Sequence, residues 1–340
     1  MQVSVAFPTA LDSHENIALA EELGYECAWL YDTPQNSPDV WMMLALAAER
    51  TSRIGLGPGV LIPSLRHPMT NAAATAALVA LAPDRVRVGF GTGFSGRRAM
   101  GYRAIKWSYV KEYIRAYRGL LRGEVVEWEG VMMQMLHPAG HAPSRPIEVP
   151  ILISALGPMG AEVARELADG LYATSQLPDF AREFAHVAYL AWGTVLDEGE
   201  DPSADRVRQA GGPGTALAWH AAYEFGGQEA VAGLPGGQAW NEVVNRAPAE
   251  RRHLAVHSGH CVELNEADRA AWEAGGSALV GPTTMTGTRE QVRAKLDEFA
   301  AAGVTEVVYQ PCGPDIRREL ETFLETARGS ATKGDLRPSI

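Results

Sequence analysis

Three segments of this sequence combine residue types that could do chemistry. The first runs from Ile54 to Pro68, Ile-Gly-Leu-Gly-Pro-Gly-Val-Leu-Ile-Pro-Ser-Leu-Arg-His-Pro. Glycine serves where φ is positive or where a ligand nears the backbone, and proline fixes φ and removes a donor. A strand end punctuated in this way, centred on Gly59 and Val60, is built to present its main chain to something flat; a tight loop is the plainer alternative. The second is Ile151-Leu-Ile-Ser-Ala-Leu-Gly-Pro-Met-Gly160. A strand, then Gly-Pro-x-Gly, then a helix leaves backbone N–H groups at the positive end of a helix dipole. A cofactor phosphate is the expected guest there; a plain loop with glycine for packing is the blander alternative. Leu156, Gly157, Met159 and Gly160 offer N–H donors and Pro158 does not; Ser154 ends the strand, and Thr174 and Ser175 add hydroxyls from the next strand end. The third is Asp32, closing the strand in Leu30-Tyr31-Asp32-Thr33. A carboxylate there could hydrogen-bond a ring N–H or place a substrate proton, or simply cap the following loop.

Histidines supply a further candidate. His220 follows the segment 215–221, read as a strand, and could face a pocket as a proton donor or substrate ligand. His253, His257 and His260 cluster further on. The spacing of His257-Ser-Gly-His260 suits a metal, but no carboxylate pattern accompanies it, so the pair is read as structural and no metal site is expected. Cys27, Cys261 and Cys312 are scattered, with no zinc-type spacing.

Short apolar runs alternating with helical patterns must position these residues. Strands are expected at 3–7, 27–31, 54–60, 86–90, 149–154, 171–174, 215–221 and 306–310. Helices are expected at 12–23, 40–50, 70–81, 109–121, 160–168, 180–196, 289–302 and 315–327, and a hairpin outside the repeat at 125–135. Alternating βα with buried apolar strands means a parallel sheet, and eight units favour a (β/α)8 TIM barrel, whose site lies at the C-terminal strand ends. The expected organisation is a single barrel over 1–328, with rim insertions at about 94–148 and 197–280 and a frayed tail at 329–340. The rim rule selects Asp32, Gly59, Val60, Thr92 (in Gly91-Thr92-Gly93), Ser154, Thr174, His220 and Gln310.

Composition narrows the partners. The chain has 340 residues, 46% hydrophobic, which suits a large soluble core, and a net charge of -11, which disfavours nucleic acid and anionic membranes. No signal-type run opens it and no stretch approaches the roughly twenty apolar residues of a membrane span. A cytoplasmic, reduced protein acting on a small molecule is expected. The helix at 70–81 carries no charge at all. Together with the apolar helix at 40–50 it suggests a self-complementary patch and hence a homodimer.

The order of these segments resembles the bacterial luciferase-like superfamily of flavin and deazaflavin oxidoreductases, and within it the methylenetetrahydromethanopterin reductase-like branch. The residues that carry the resemblance are Gly57-Pro58-Gly59-Val60 with Arg66-His67-Pro68, Arg85, Gly89-Phe90-Gly91-Thr92-Gly93, Pro150 to Pro158, Ala168-Asp169-Gly170, and Gly287-Thr288-Arg289-Glu290 ahead of Ala302-Gly303-Val304. It covers about 1–180 and 283–328; the middle matches loosely. The resemblance implies a non-prolyl cis peptide or bulge at Gly59-Val60 backing the cofactor ring. It implies hydride transfer between coenzyme F420 and a small organic substrate, with a reduced-FMN-dependent two-component monooxygenase, or a non-catalytic flavin-binding protein, as alternatives. A separate flavin or F420 reductase supplying reduced cofactor is compatible with it. In deazaflavin relatives an Asp-His pair is common at Asp32; here Thr33 stands in the histidine's place. Phe94 stands where some relatives carry Glu, which argues against a sugar-phosphate substrate.

Overall fold

The computed structural model describes residues 1–329. Among the described residues ten strands occur in chain order: β1 Gln2–Phe7, β2 Cys27–Leu30, β3 Gly55–Pro58, β4 Val88–Gly91, β5 Val126–Trp128, β6 Val131–Met133, β7 Ile151–Ser154, β8 Gly170–Ala173, β9 Val187–Trp192 and β10 Glu306–Gln310. Eight form one parallel sheet in the order β3-β2-β1-β10-β9-β8-β7-β4. Bridges Leu56–Val86 and Leu61–Phe90 join the outer strands β3 and β4. The sheet therefore closes on itself as the expected (β/α)8 barrel, with helices around it.

The seventh barrel strand is not 215–221. It is β9, inside the segment read as a helix over 180–196, where only a short 3-10 turn, Ala181–Glu183, is helical. Its sequence, Val-Ala-Tyr-Leu-Ala-Trp, is largely buried, so it lacks the polar alternation that marks a half-exposed strand. Residues 215–221 lie within the helix Asp205–Ala232. The expected tail falls outside the described residues except for Gly329.

The barrel interior is filled by Trp29, Leu152, Tyr172, Ala188, Leu190 and Val308. Trp29 and Tyr172 meet edge to face, with centroids 5.1 Å apart. At the base, Glu306 is fully buried and pairs with His186 Nε2 at 2.6 Å and Arg87 Nη1 at 3.5 Å. Trp29 Nε1 donates to it at 3.2 Å. Burial opposes the Glu306 charge, but His186, Ser4 and Arg87 outweigh it and hold the carboxyl below its ordinary value.

Two segments depart from the repeat. The hairpin β5–β6 packs against the helix Trp107–Arg122, with Trp128 edge-on to Tyr109 and Tyr113. The long insertion follows β9 and is helical. It has its own apolar core, including Trp219, Trp240, Val256 and Trp272. No helix among the described residues is long and apolar enough to cross a membrane.

Candidate functional site

Beyond Pro58 the chain turns through a cis Gly59–Val60 peptide. A Cβ on Gly59 would lie 3.1 Å from Trp29 and from the Tyr172 hydroxyl, so a larger residue would press on the barrel plug. Val60 points toward β4, where a Cβ on Gly89 would lie 2.7 Å from its Cγ1 and one on Gly91 2.9 Å from its Cγ2. The glycines of β4 therefore clear space for Val60. Leu61 then resumes parallel pairing with Phe90.

Thr92, Ser154 and Thr174 follow the ends of β4, β7 and β8 and are each partly exposed. These strands are neighbours in the barrel. With Gly59 and Val60 they form one arc over four adjacent strand ends. The arc leads to the helix Pro158–Leu167, whose N-cap is Gly157. No side chain caps this helix and no acidic residue sits in its first turn, so its positive end is open to an anion. Leu156, Gly157 and Met159 are exposed, as is Ser175. The two glycines differ: a Cβ on Gly157 meets nothing within 4 Å, but one on Gly160 would lie 2.6 Å from Trp107 and 2.7 Å from Ala155. A shallow depression of about 390 Å³ flanks this helix, lined in part by Leu156, Pro158, Arg165 and Phe180.

Asp32 is buried at the end of β2. Arg66 Nη1 donates to both its oxygens, at 2.8 and 2.7 Å, and Arg66 Nη2 donates to Asp39 at 2.7 Å. Burial pushes the Asp32 carboxyl up, and Arg66 only partly opposes it. A closed network extends from this pair. Asp39 caps the helix Val40–Arg50 through the Trp41 and Met42 N–H groups. Trp41 Nε1 donates to Asn71, Asn71 donates to the Tyr113 hydroxyl, and that hydroxyl donates to the Arg66 carbonyl. The segment 59–66 is thus held at its far end by polar contacts from β2 and two outer helices.

Gln310, ending β10, sits at the barrel mouth. Its side-chain oxygen accepts from Trp192 Nε1 and the Tyr31 hydroxyl, and its amide donates to the Cys261 carbonyl. The insertion is therefore tied across part of the mouth.

His220 does not end a strand. It lies on the helix Asp205–Ala232, 3% exposed, with Nε2 3.0 Å from Asp268 Oδ1 and Nδ1 2.8 Å from His260 Nδ1. Both ring nitrogens are engaged within the insertion, so it is not a free proton donor facing the arc. His257 Nε2 lies 2.9 Å from Glu224 Oε1, and Glu224 also pairs with Arg98. Burial opposes the Glu224 charge, but His257 and Arg98 outweigh it and hold the carboxyl low. Burial keeps His257 and His260 below the usual imidazole value, with His220 adding to the effect.

Sequence reasoning quoted Arg66 as part of a motif without pairing it to Asp32. It missed Glu224 and Asp268 altogether. The signal for Glu224 was its place four residues after His220, one helical turn on, which a strand reading concealed.

The fold agrees with comparisons to known proteins. The family model described as luciferase-like monooxygenase matches residues 8–306. A 5,10-methylenetetrahydromethanopterin reductase from Archaeoglobus fulgidus is 26% identical over 90% of this chain and 91% of its own. An F420-dependent glucose-6-phosphate dehydrogenase from Kineococcus radiotolerans is 33% identical over 46% of this chain and 50% of its own. The solved coenzyme F420 dependent tetrahydromethanopterin reductase from Methanopyrus kandleri superposes with a TM-score of 0.69 at 20% identity, covering 95% of this chain and 97% of that one. The chain belongs to the bacterial luciferase-like family.

Proposed function

We propose that this chain is an oxidoreductase that docks coenzyme F420 along the arc of strand ends and passes a hydride between it and a small organic substrate. The observation that carries the reading is the row of adjacent strand ends that starts at the cis Gly59-Val60 peptide and reaches β7, whose following helix Pro158–Leu167 has an uncapped N-terminus. A flat ring fits against the strand end at Gly59-Val60, where the Val60 side chain is turned into the space left by the β4 glycines, and a phosphate fits the open helix end. The relatives named as reductases and F420-dependent dehydrogenases support the class. The deazaflavin, when bound, supplies two-electron hydride chemistry.

The protein's part is binding, orientation and exclusion of water. The Gly59-Val60 backbone supports one face of the ring. The backbone N–H groups of Leu156, Gly157, Met159 and Gly160 hold the phosphate, with Ser154, Thr174 and Ser175 as flanking hydroxyls. Thr92, just after β4, would add a hydroxyl beside the ring. Asp32 acts as a positioning residue: its pair with Arg66 fixes the segment behind the ring. The insertion, tied down at Gln310, shields the mouth from the other side. Phe94, stacked on Phe225 with centroids 4.8 Å apart, gives the substrate region an apolar wall.

Fluorescence titration with coenzyme F420, and separately with FMN, tests this. Saturable binding of coenzyme F420, tighter than that of FMN and weakened by Gly157→Val, is the expected result. Binding of FMN alone would replace the deazaflavin reading by that of a flavin enzyme, and binding of neither would end it.

A further inference from the structure

Sequence reading discounted a metal because no carboxylate pattern accompanied His257 and His260. The fold supplies both the missing carboxylates and a third histidine. His220, His257 and His260 each offer a ring nitrogen, and these atoms lie within 4.8 Å of one another. They come from separate places, the helix Asp205–Ala232 and the segment after it, so the cluster is a product of the tertiary fold.

The carboxylates decide which nitrogen each ring offers. A carboxylate only accepts, so the nitrogen facing it carries the proton. His220 Nε2 faces Asp268 at 3.0 Å, and Asp268 is held in turn by Trp240 Nε1 at 2.8 Å. His257 Nε2 faces Glu224 at 2.9 Å. Each neutral ring is then left with a lone pair on Nδ1. For His220 that lone pair points at His260 Nδ1, 2.8 Å away. For His257, which is 3% exposed, Nδ1 is buried with no hydrogen-bond partner. An unpartnered buried lone pair beside two further imidazoles is costly unless something electropositive meets it. A carboxylate behind a histidine is also the usual outer-shell device for fixing a metal-ligating ring.

We propose that His220, His257 and His260 form a binding site for a divalent transition metal of the zinc type, oriented by Asp268 and Glu224. Three imidazoles with no thiolate suit Zn²⁺ or Co²⁺ over Mg²⁺ or Ca²⁺, which prefer oxygen ligands. Tetrahedral coordination at about 2.0–2.1 Å places ligand nitrogens roughly 3.3 Å apart. The 2.8 Å contact between His220 and His260 and the 4.8 Å within which all three ligand nitrogens fall lie on either side of that value, so modest ring movements close the site. The adjoining residue, Cys261, gives its carbonyl to Gln310, and the His257 carbonyl accepts from Asn36 Nδ2 at 3.2 Å. An ion here fastens the 257–261 segment to the insertion helix beside the barrel mouth.

The test uses the full-length protein stripped with a chelator and then titrated with Zn²⁺ or Co²⁺ alone. The expected result is stoichiometric binding, a Co²⁺ visible spectrum of tetrahedral type, and a raised melting temperature with Zn²⁺ but not with Mg²⁺. His257→Ala and His260→Ala should abolish binding, and Asp268→Asn should weaken it about 10–100-fold. Glu224→Gln, which keeps a hydrogen-bonding side chain behind His257, guards against loss of fold and should weaken it over the same range of about 10–100-fold. Failure of the wild-type protein to bind either ion, or undiminished binding in both histidine variants, would overturn the proposal. The cluster would then be a hydrogen-bonded network in which His260 donates to His220.

Discussion

Arg66 grips Asp32 through a single nitrogen, Nη1, which donates to both carboxylate oxygens, and turns its other nitrogen to Asp39. The pair is mostly buried, with Arg66 15% and Asp32 2% exposed at the side chain. Removing one member of a buried pair strands the other's charge. Arg66→Met should therefore cost about 3–5 kcal/mol of stability near neutral pH. The Asp32 pKa is already raised by burial and rises further without Arg66. Protonation then relieves the variant, so its deficit should shrink as pH falls, and denaturant melts at several pH values check this. The double variant Arg66→Met with Asp32→Asn should recover part of the loss. A deficit that stays constant with pH would show that the pair is not the source.

Val60 and the β4 glycines are a matched set. Gly89→Ala or Gly91→Ala places a methyl against Val60. Overpacking of this kind costs typically about 1–3 kcal/mol, and here it should displace Val60, the proposed support of the cofactor ring. Cofactor affinity should drop in Gly91→Ala and return when Val60→Ala is added. Titration of the three proteins with coenzyme F420 separates this from general damage, which the second substitution would not repair.

The two glycines proposed to bind the phosphate should part company. Gly157 has an ordinary φ of -104 and open space around it. Gly157→Val should leave the melting temperature nearly unchanged while weakening cofactor binding. Gly160→Val drives a side chain into Trp107 and Ala155 and should lower stability as well. Thermal melts alongside cofactor titrations distinguish the two.

The base of the barrel sets an acid limit. The Glu306 carboxyl is held below its ordinary value of 4.5 in the folded chain. A depressed folded pKa means that the unfolded chain binds more protons in the window between the folded and the ordinary value. The contribution is present above about pH 4.5 and is lost as pH falls through the lower folded value. Glu306→Gln should be less stable than wild type at neutral pH, by about 1–3 kcal/mol. The gap should narrow below pH 4.5, as read from chemical denaturation across the acid range.

Association is the remaining expectation. The helix Pro68–Leu81 carries no charged residue, and Met42, Leu46 and Leu81 are exposed nearby, Met42 by 65%. We propose that this face pairs with a second copy across a two-fold axis. Glu at Ala73 and Ala77 should split the dimer, as sedimentation velocity would report. A wild-type monomer at micromolar concentration would remove the idea.

Much of the barrel was legible because its signals are local. The helix Val40–Arg50, the helix Arg289–Ala302 stopped by Gly303, and β10 fall where periodicity and end residues place them. The cis peptide at Gly59-Val60 came from the family resemblance, since the glycines alone are equally at home in a tight loop. The insertion was illegible for a physical reason. Gly211-Gly212-Pro213-Gly214 consists of the two poorest helix formers, yet it lies inside the helix Asp205–Ala232. A Cβ at Gly214 would lie 2.4 Å from Trp192 Cβ, and one at Gly212 3.0 Å from Leu264. Close packing pays for the poor helix propensity there, and no local rule sees it. The same misreading kept His220 apart from Glu224, and Arg66 from Asp32 is a pairing across 34 residues that spacing cannot show.

The insertion leaves and rejoins the barrel at neighbouring points. Val195 bridges Gly287, and Leu196 donates to the Gly287 carbonyl at 2.9 Å. Between these points the chain builds a core of its own. A segment whose ends already touch can be lengthened, shortened or exchanged without reopening the structure that carries it. The barrel and the helical segment are therefore free to diverge at different rates. A graft of this segment onto a related barrel of the family should therefore leave both apolar cores intact.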